Sequence, residues 1–184
     1  MAVYHFNVER FQIYNTRAPH EDTDVVSAWV RVNGQLHGPT IVHAGDVNNG
    51  IHVVNCKVGP VTASDTDIVA FGFQIVNAGH TDAGAVNAAL STAAETVSLA
   101  AIPEPFGAAV AAVTEIIKRI FTINCDGVVA LEQHRWPGSR YRELTAGHNP
   151  VHFTHTFHGT DSSVGCGSNS VYSVTWSLFR EHGA

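Results

Sequence analysis

Twelve histidines in 184 residues are the first candidates for chemistry, and His148, His152, His155 and His158 crowd into one short stretch. If that stretch is a strand, alternation puts His152 and His158 on one face, roughly 20 Å apart, with His155 on the other. One strand cannot gather three imidazoles around a metal, so such a site would need His43 or His52 from neighbouring strands. The spacing is neither HExxH nor a zinc-finger pattern.

Carboxylates offer a second possibility. Asp22-Thr23-Asp24 and Asp65-Thr66-Asp67 each place two acidic side chains at the entrance to a strand. Paired oxygens at a loop–strand junction suit a hard cation, and calcium is the ion expected there, with Asp46 and Asn48 as helpers. The EF-hand glycine and terminal glutamate are missing. Asp and Thr also open strands by bonding their own backbone, which is the plainer reading of both motifs.

Cys166, between Gly165 and Gly167, has histidines upstream, but no orienting residue completes a nucleophilic pair. Cys56, Cys125 and Cys166 form no CxxC and are too few for a disulfide framework. No GxSxG, P-loop or dinucleotide fingerprint is present.

The elements that would hold these residues are mostly strands. Val3 to Tyr14 alternates and then shifts parity near Glu9-Arg10, which predicts a bulge. Asp24 to Val32 is a strand, Asn33-Gly34 a hairpin turn, and Gln35 to His43 the return. Asp46 to Gly50 turns into the strand Ile51 to Cys56, which Gly59-Pro60 should end. Ile68 to Asn77 follows. Val128 to Glu132, Val151 to His158 and Ser170 to Phe179 are later strands, with Thr122 to Asn124 a shorter one and Trp136-Pro137-Gly138 a loop. Short strands bounded by turns point to a mainly β protein, an antiparallel sandwich. Inward residues should include Val26, Ala28 and Val30, and Val69, Phe71 and Phe73; the bulk of Trp29 could override the alternation.

A weak internal repeat aligns the segment from Glu21 with that from Ser64, each a strand entered through Asp-Thr-Asp. It suggests internal duplication. The expected organisation is a single β-sandwich domain over 1–184 with a helical hairpin inserted at 81–121. In that insertion Val86, Leu90, Ala93, Val97 and Ala101 share one helical face. Asp82 stands at the N-cap, and Pro103-Glu104-Pro105 makes the turn into a second helix.

The backs of these helices carry alanine where lysine or glutamate is usual. Ala88, Ala89 and Ala94 on the first and Ala108, Ala109, Ala111 and Ala112 on the second invite close contact with another surface. Ala88, Ala89, Ala108, Ala109, Ala111 and Ala112 are the expected interface. Charged residues are 14% of the chain against about 25% in ordinary domains. The net charge of −6 argues against nucleic acid as a partner, which needs a basic face. The N-terminus MAVYHFNVERF has no basic or apolar signal region, so a cytoplasmic or non-classically exported protein is expected.

These observations favour a non-enzymatic β-sandwich acting by surface binding and self-association, a homo-oligomer with the hairpin as contact element. One alternative is a membrane-active, pore-forming protein whose hairpin inserts into lipid. A third is a metal-dependent enzyme using the histidines.

Overall fold

Period-two alternation places most of this chain in extended structure. The computed structural model describes residues 1–17, 22–79, 81–99, 126–147, 149–159 and 170–181. Its elements are β1 (Ala2–Asn15), β2 (Asp22–Val32), β3 (Gln35–Val47), β4 (Gly50–Ala63), β5 (Ile68–Asn77), α1 (Ala83–Leu99), β6 (Gly127–Pro137), α2 (Gly138–Gly147), β7 (Val151–His158) and β8 (Val171–Arg180). Two four-stranded sheets, ordered β4-β1-β8-β7 and β3-β2-β5-β6, are antiparallel throughout. They pack face to face as the expected sandwich.

The core lies between the sheets. Val26, Ala28 and Val30 of β2 and Val69, Phe71 and Phe73 of β5 point into it. Phe6 of β1 stacks on Phe71 at 4.8 Å, and Phe71 meets Trp176 of β8 at 5.0 Å. The β1 parity shift is a bulge: register slips between Val8 and Arg10 against both neighbours, keeping Phe11 and Ile13 inside. Asn33 and Gly34, with φ of 47° and 89°, make the two-residue hairpin turn.

Trp29 keeps the alternation. It points to the outer face of its sheet and lies over Gly72, where a Cβ would stand 2.5 Å from the indole. Helix α1 covers this face. Val86, Leu90, Ala93, Ala94 and Val97 pack with Val25, Trp29, Val76 and Leu131 in a second apolar cluster. Asp82 caps the helix as expected, its Oδ1 accepting the N–H of Gly84 and of Ala85. The buried arc is wider than the expected stripe. Ala89 and Ala94 are fully buried within the chain, so neither lies on a free helix back; Ala88 is exposed. The Pro103-Glu104-Pro105 turn, the second helix with Ala108, Ala109, Ala111 and Ala112, Ala101, and the segment Thr122 to Asn124 lie outside the described residues. No helix among the described residues is long and apolar enough to cross a membrane.

Three expectations need correction. Gly59-Pro60 does not end β4. The strand continues to Ala63 through a register slip between Tyr4 and Phe6 of its partner, because Gly59 at φ 127° absorbs the irregularity. β6 does not stop at Glu132 but continues to Pro137 along β5. Gly138 is no loop residue: it opens α2, whose Tyr141 plugs the end of the core and donates its hydroxyl to the Val69 carbonyl at 3.3 Å.

The two repeat segments become β2 and β5, which pair with each other. Their inward residues keep the same parity, as duplication requires. The Asp-Thr-Asp motifs do not share surroundings: Asp22 and Asp24 are buried, whereas Asp65 is exposed.

Candidate metal centre

The inward face of β6 carries Ala130, Glu132, His134 and Trp136, registered opposite Ile75, Phe73, Phe71 and Val69 of β5. A glutamate facing phenylalanine inside a sandwich is costly unless its oxygens find partners. Glu132 is 2% exposed, and its Oε1 receives two imidazoles. His134 Nε2 lies at 2.5 Å from it and His155 Nδ1 at 2.6 Å. His155 comes from the other sheet. On β7 it sits between Phe153, stacked on Trp176, and Phe157, edge-on to Phe73, so its parity is the core-facing one. Because β7 is an edge strand, the ring remains 50% exposed. The cluster spans the two sheets at the side where β6 and β7 meet.

The His134 ring hydrogen-bonds through Nε2, whereas His155 Nδ1 makes an ion contact with the same oxygen without an aligned hydrogen bond. The other carboxylate oxygen, Glu132 Oε2, is buried with no hydrogen-bond partner among the described residues. His134 Nδ1 is in the same position. Metal-bound histidines usually have this nitrogen held by a carbonyl or carboxylate. Here packing does the orienting, with Trp136 at 4.6 Å on one side and Trp176 at 5.1 Å on another.

Glu132, His134 and His155 offer three ligand atoms within 4.8 Å of one another. Zinc with bonds of about 2.0–2.2 Å holds its ligands roughly 3.3 Å apart, so the carboxylate must draw back from each ring by about 0.7–0.8 Å. Two imidazoles and one carboxylate suit zinc and its neighbours in the transition series. A cation at Glu132 Oε1 would need each neutral imidazole to carry its one proton on the nitrogen away from the ion. Glu132, His134 and His155 would hold such an ion, which would supply either a Lewis acid for water or a structural cross-link between the sheets.

The sequence candidates are placed otherwise. The two Asp-Thr-Asp motifs sit at opposite ends of the antiparallel β2–β5 pair, roughly 30 Å apart at about 3.3 Å per residue, and make no joint site. Asp22 and Asp24 are buried about the Tyr172 hydroxyl, whose oxygen lies 2.7 Å from an oxygen of each. Asp22 also accepts the backbone N–H of Arg17 and the amide of Asn77. A phenol has one proton to donate, so the second short contact needs a proton from a carboxyl. Asp24 supplies it: burial drives its affinity for protons well above the usual carboxylate range, against the pull of the Tyr172 hydrogen bond and with Asp22 adding to the rise. Burial likewise pushes the Tyr172 phenol up, helped by both carboxylates. A neutral carboxyl is a poor calcium ligand.

Asp65 pairs with Arg142 at 2.7 Å. Asp67 closes a turn by accepting the Ser64 N–H, which holds its carboxyl below the usual range, and the Asn33 amide adds to this. Asp46 accepts the Thr23 hydroxyl and the Asn48 carbonyl contacts His52. His43 bonds Asn87 of α1, and neither His43 nor His52 joins His155. His152 lies 3.2 Å from Glu9. Cys56 is buried and burial pushes its thiol up to about 12, which leaves it inert; His148, Cys125 and Cys166 lie outside the described residues.

Glu132 and His134 escaped the sequence reading because it stopped β6 at Glu132. The signal was present in ALEQHRW: in a continued strand, Glu132, His134 and Trp136 must share a face.

No protein-family model and no curated protein matches the chain. Among solved structures it is similar to one described as "Structure of a C2 domain", at 8% identity and a TM-score of 0.35, covering 97% of this chain and 99% of that one.

Proposed function

We propose that this protein is a β-sandwich binding module for a divalent transition metal, zinc by ligand type, held by Glu132, His134 and His155. The observation that carries the reading is a buried carboxylate inside the core, one oxygen taking both imidazoles and the other left without a partner. Calcium is disfavoured here, since it takes six to eight oxygens and no imidazole. Metal titration tests the reading directly. Zinc should bind one ion per chain by calorimetry. Cobalt(II) or copper(II) should quench the fluorescence of Trp136 and Trp176, which pack on His134. Both signals should vanish in the His134→Ala, His155→Ala double variant. A wild-type chain that binds no zinc at micromolar concentration overturns the proposal.

A second reading concerns α1 as a contact between copies. The 17-residue helix carries one charge, Glu95. Its exposed Ser91, Thr92 and Thr96 hydroxyls all donate back to carbonyls four residues earlier. The face around Ala88 therefore shows solvent methyl groups and few free donors, which suits a second copy of the chain. Native mass measurement of wild type and Ala88→Glu tests it: a mass of one chain in the wild type removes the reading.

A further inference from the structure

A separate feature lies on the outer face of the other side of the same sheet. Arg31 of β2, Ala70 of β5 and Arg135 of β6 stand in one row across three neighbouring strands. Their side chains leave the face away from the core, and with strands about 4.8 Å apart the two arginine Cα atoms are roughly 10 Å from each other. Ala70 between them leaves a gap. A cavity of about 220 Å³ opens there, lined by both arginines, Asn33, Gly34, Ile68, Ala70 and the last turn of α1 at Ser98 and Leu99.

The basic groups are differently held. Arg31 is 8% exposed and locked: Nε donates to the Ser98 hydroxyl at 2.9 Å and Nη1 to the Gly34 carbonyl. Its Nη2 lies 2.7 Å from Glu95 Oε2, an ion contact without an aligned hydrogen bond, so this buried nitrogen keeps an unused donor. Arg135 is exposed and has no ion pair or hydrogen bond among the described residues. Ile68 and Leu99 supply exposed apolar wall.

We infer that this cavity is a binding site for a small organic carboxylate with a short apolar tail. The carboxylate lies between the Arg31 and Arg135 guanidinium groups, which match its planar oxygens. The tail rests on Ile68 and Leu99. The volume is below the roughly 300–1,000 Å³ of sites for drug-sized ligands, which limits the occupant to a few carbon atoms. The exposed Glu95 carboxylate competes for Arg31 in the free protein.

Butyrate is the probe, with 1-butanol and inorganic phosphate as comparisons, read by amide and arginine Nε chemical shifts in NMR titration. Butyrate should shift the signals of Arg31, Ala70 and Leu99, and butanol should not. Arg135→Ala should weaken butyrate binding about tenfold or more, as expected for the loss of a charge-assisted hydrogen bond. Glu95→Gln should tighten it, since the competing charge is gone; a merely structural Glu95 would not give that sign. Both substitutions are on exposed side chains, and circular dichroism checks that each variant is folded. No shift at these residues up to 50-fold excess over millimolar protein, equal binding by Arg135→Ala, or phosphate binding as tight as butyrate overturns the assignment.

Discussion

Two carboxylates point into this sandwich with an oxygen that no hydrogen bond satisfies among the described residues, Asp24 Oδ1 and Glu132 Oε2. The protein solves the same problem in different ways. Asp24 lies on the central strand β2, against the Tyr172 hydroxyl of the central strand β8, a group that cannot leave. It keeps its proton, and the neutral carboxyl tolerates an orphan oxygen far better than an anion would. Glu132 lies on the edge strand β6, beside the edge strand β7, and its partners are imidazoles with a path to solvent. The position in the sheet, more than the residue type, separates a structural carboxylate from a candidate ligand.

The largest test of that contrast is Tyr172→Phe. Without the phenol, Asp22 and the protonated Asp24 each lose a buried hydrogen-bond partner, and the two losses together should cost about 3–5 kcal/mol in urea denaturation. Asp24→Asn in the same background should recover part of it. A Tyr172→Phe cost under about 1 kcal/mol would show that the central cluster is not closed in the way described.

Metal should act on the edge cluster alone. Zinc at about 100 times its dissociation constant should raise the stability of the wild type by about 2.7 kcal/mol. Glu132→Gln or His155→Ala should abolish that gain, and EDTA should reverse it. Zinc stabilisation that survives His155→Ala would place the ion elsewhere.

The pH dependence separates the clusters more finely. Folding raises the proton affinity of Asp24 from a usual value near 3.8. The native state therefore holds a proton that the unfolded chain has released. The stabilisation from this group is full below about pH 3.8 and is lost as pH rises toward the folded value, at no more than about 1.4 kcal/mol per unit. Urea midpoints of the wild type, relative to Asp24→Asn, should fall with pH across that window. A difference that stays flat or rises means Asp24 is not protonated in the fold.

The smallest effect belongs to a carboxylate outside both clusters. Asp65 and Arg142 are both about half exposed. Arg142→Ala should cost roughly 0–1 kcal/mol, less in high salt. A loss comparable to that of Tyr172→Phe would undo the ranking by burial.

Most of the architecture was legible in the sequence, because a half-buried strand writes its burial as alternation. Val26, Ala28, Val30, Val69, Phe71 and Phe73 could be assigned to the interior from period two alone, and Asp82 to a helix cap from its place before an apolar stripe. Asn33-Gly34 named its own turn. Where local chemistry misled, tertiary pairing had overruled it: β1 carries β4 past Gly59-Pro60, and β5 carries β6 past Glu132. Helix α2 was illegible because only Gly138, Tyr141 and Thr145 of its ten residues are buried, too few to form a stripe.

The candidate metal centre was legible only in pieces. The sequence by itself determined that His155 lies on the opposite face of its strand from His152 and His158. It also determined that Glu132 and His134 share a face once the strand is continued. Which face looks inward, and which strand of the other sheet lies opposite, are properties of strand order. β6 and β7 are separated by a helix in the chain and belong to different sheets, and only the packing of two sheet edges brings His155 to 2.6 Å from Glu132. Alternation acts over two residues; the contact that makes the site acts across 23, and no local rule carries that far.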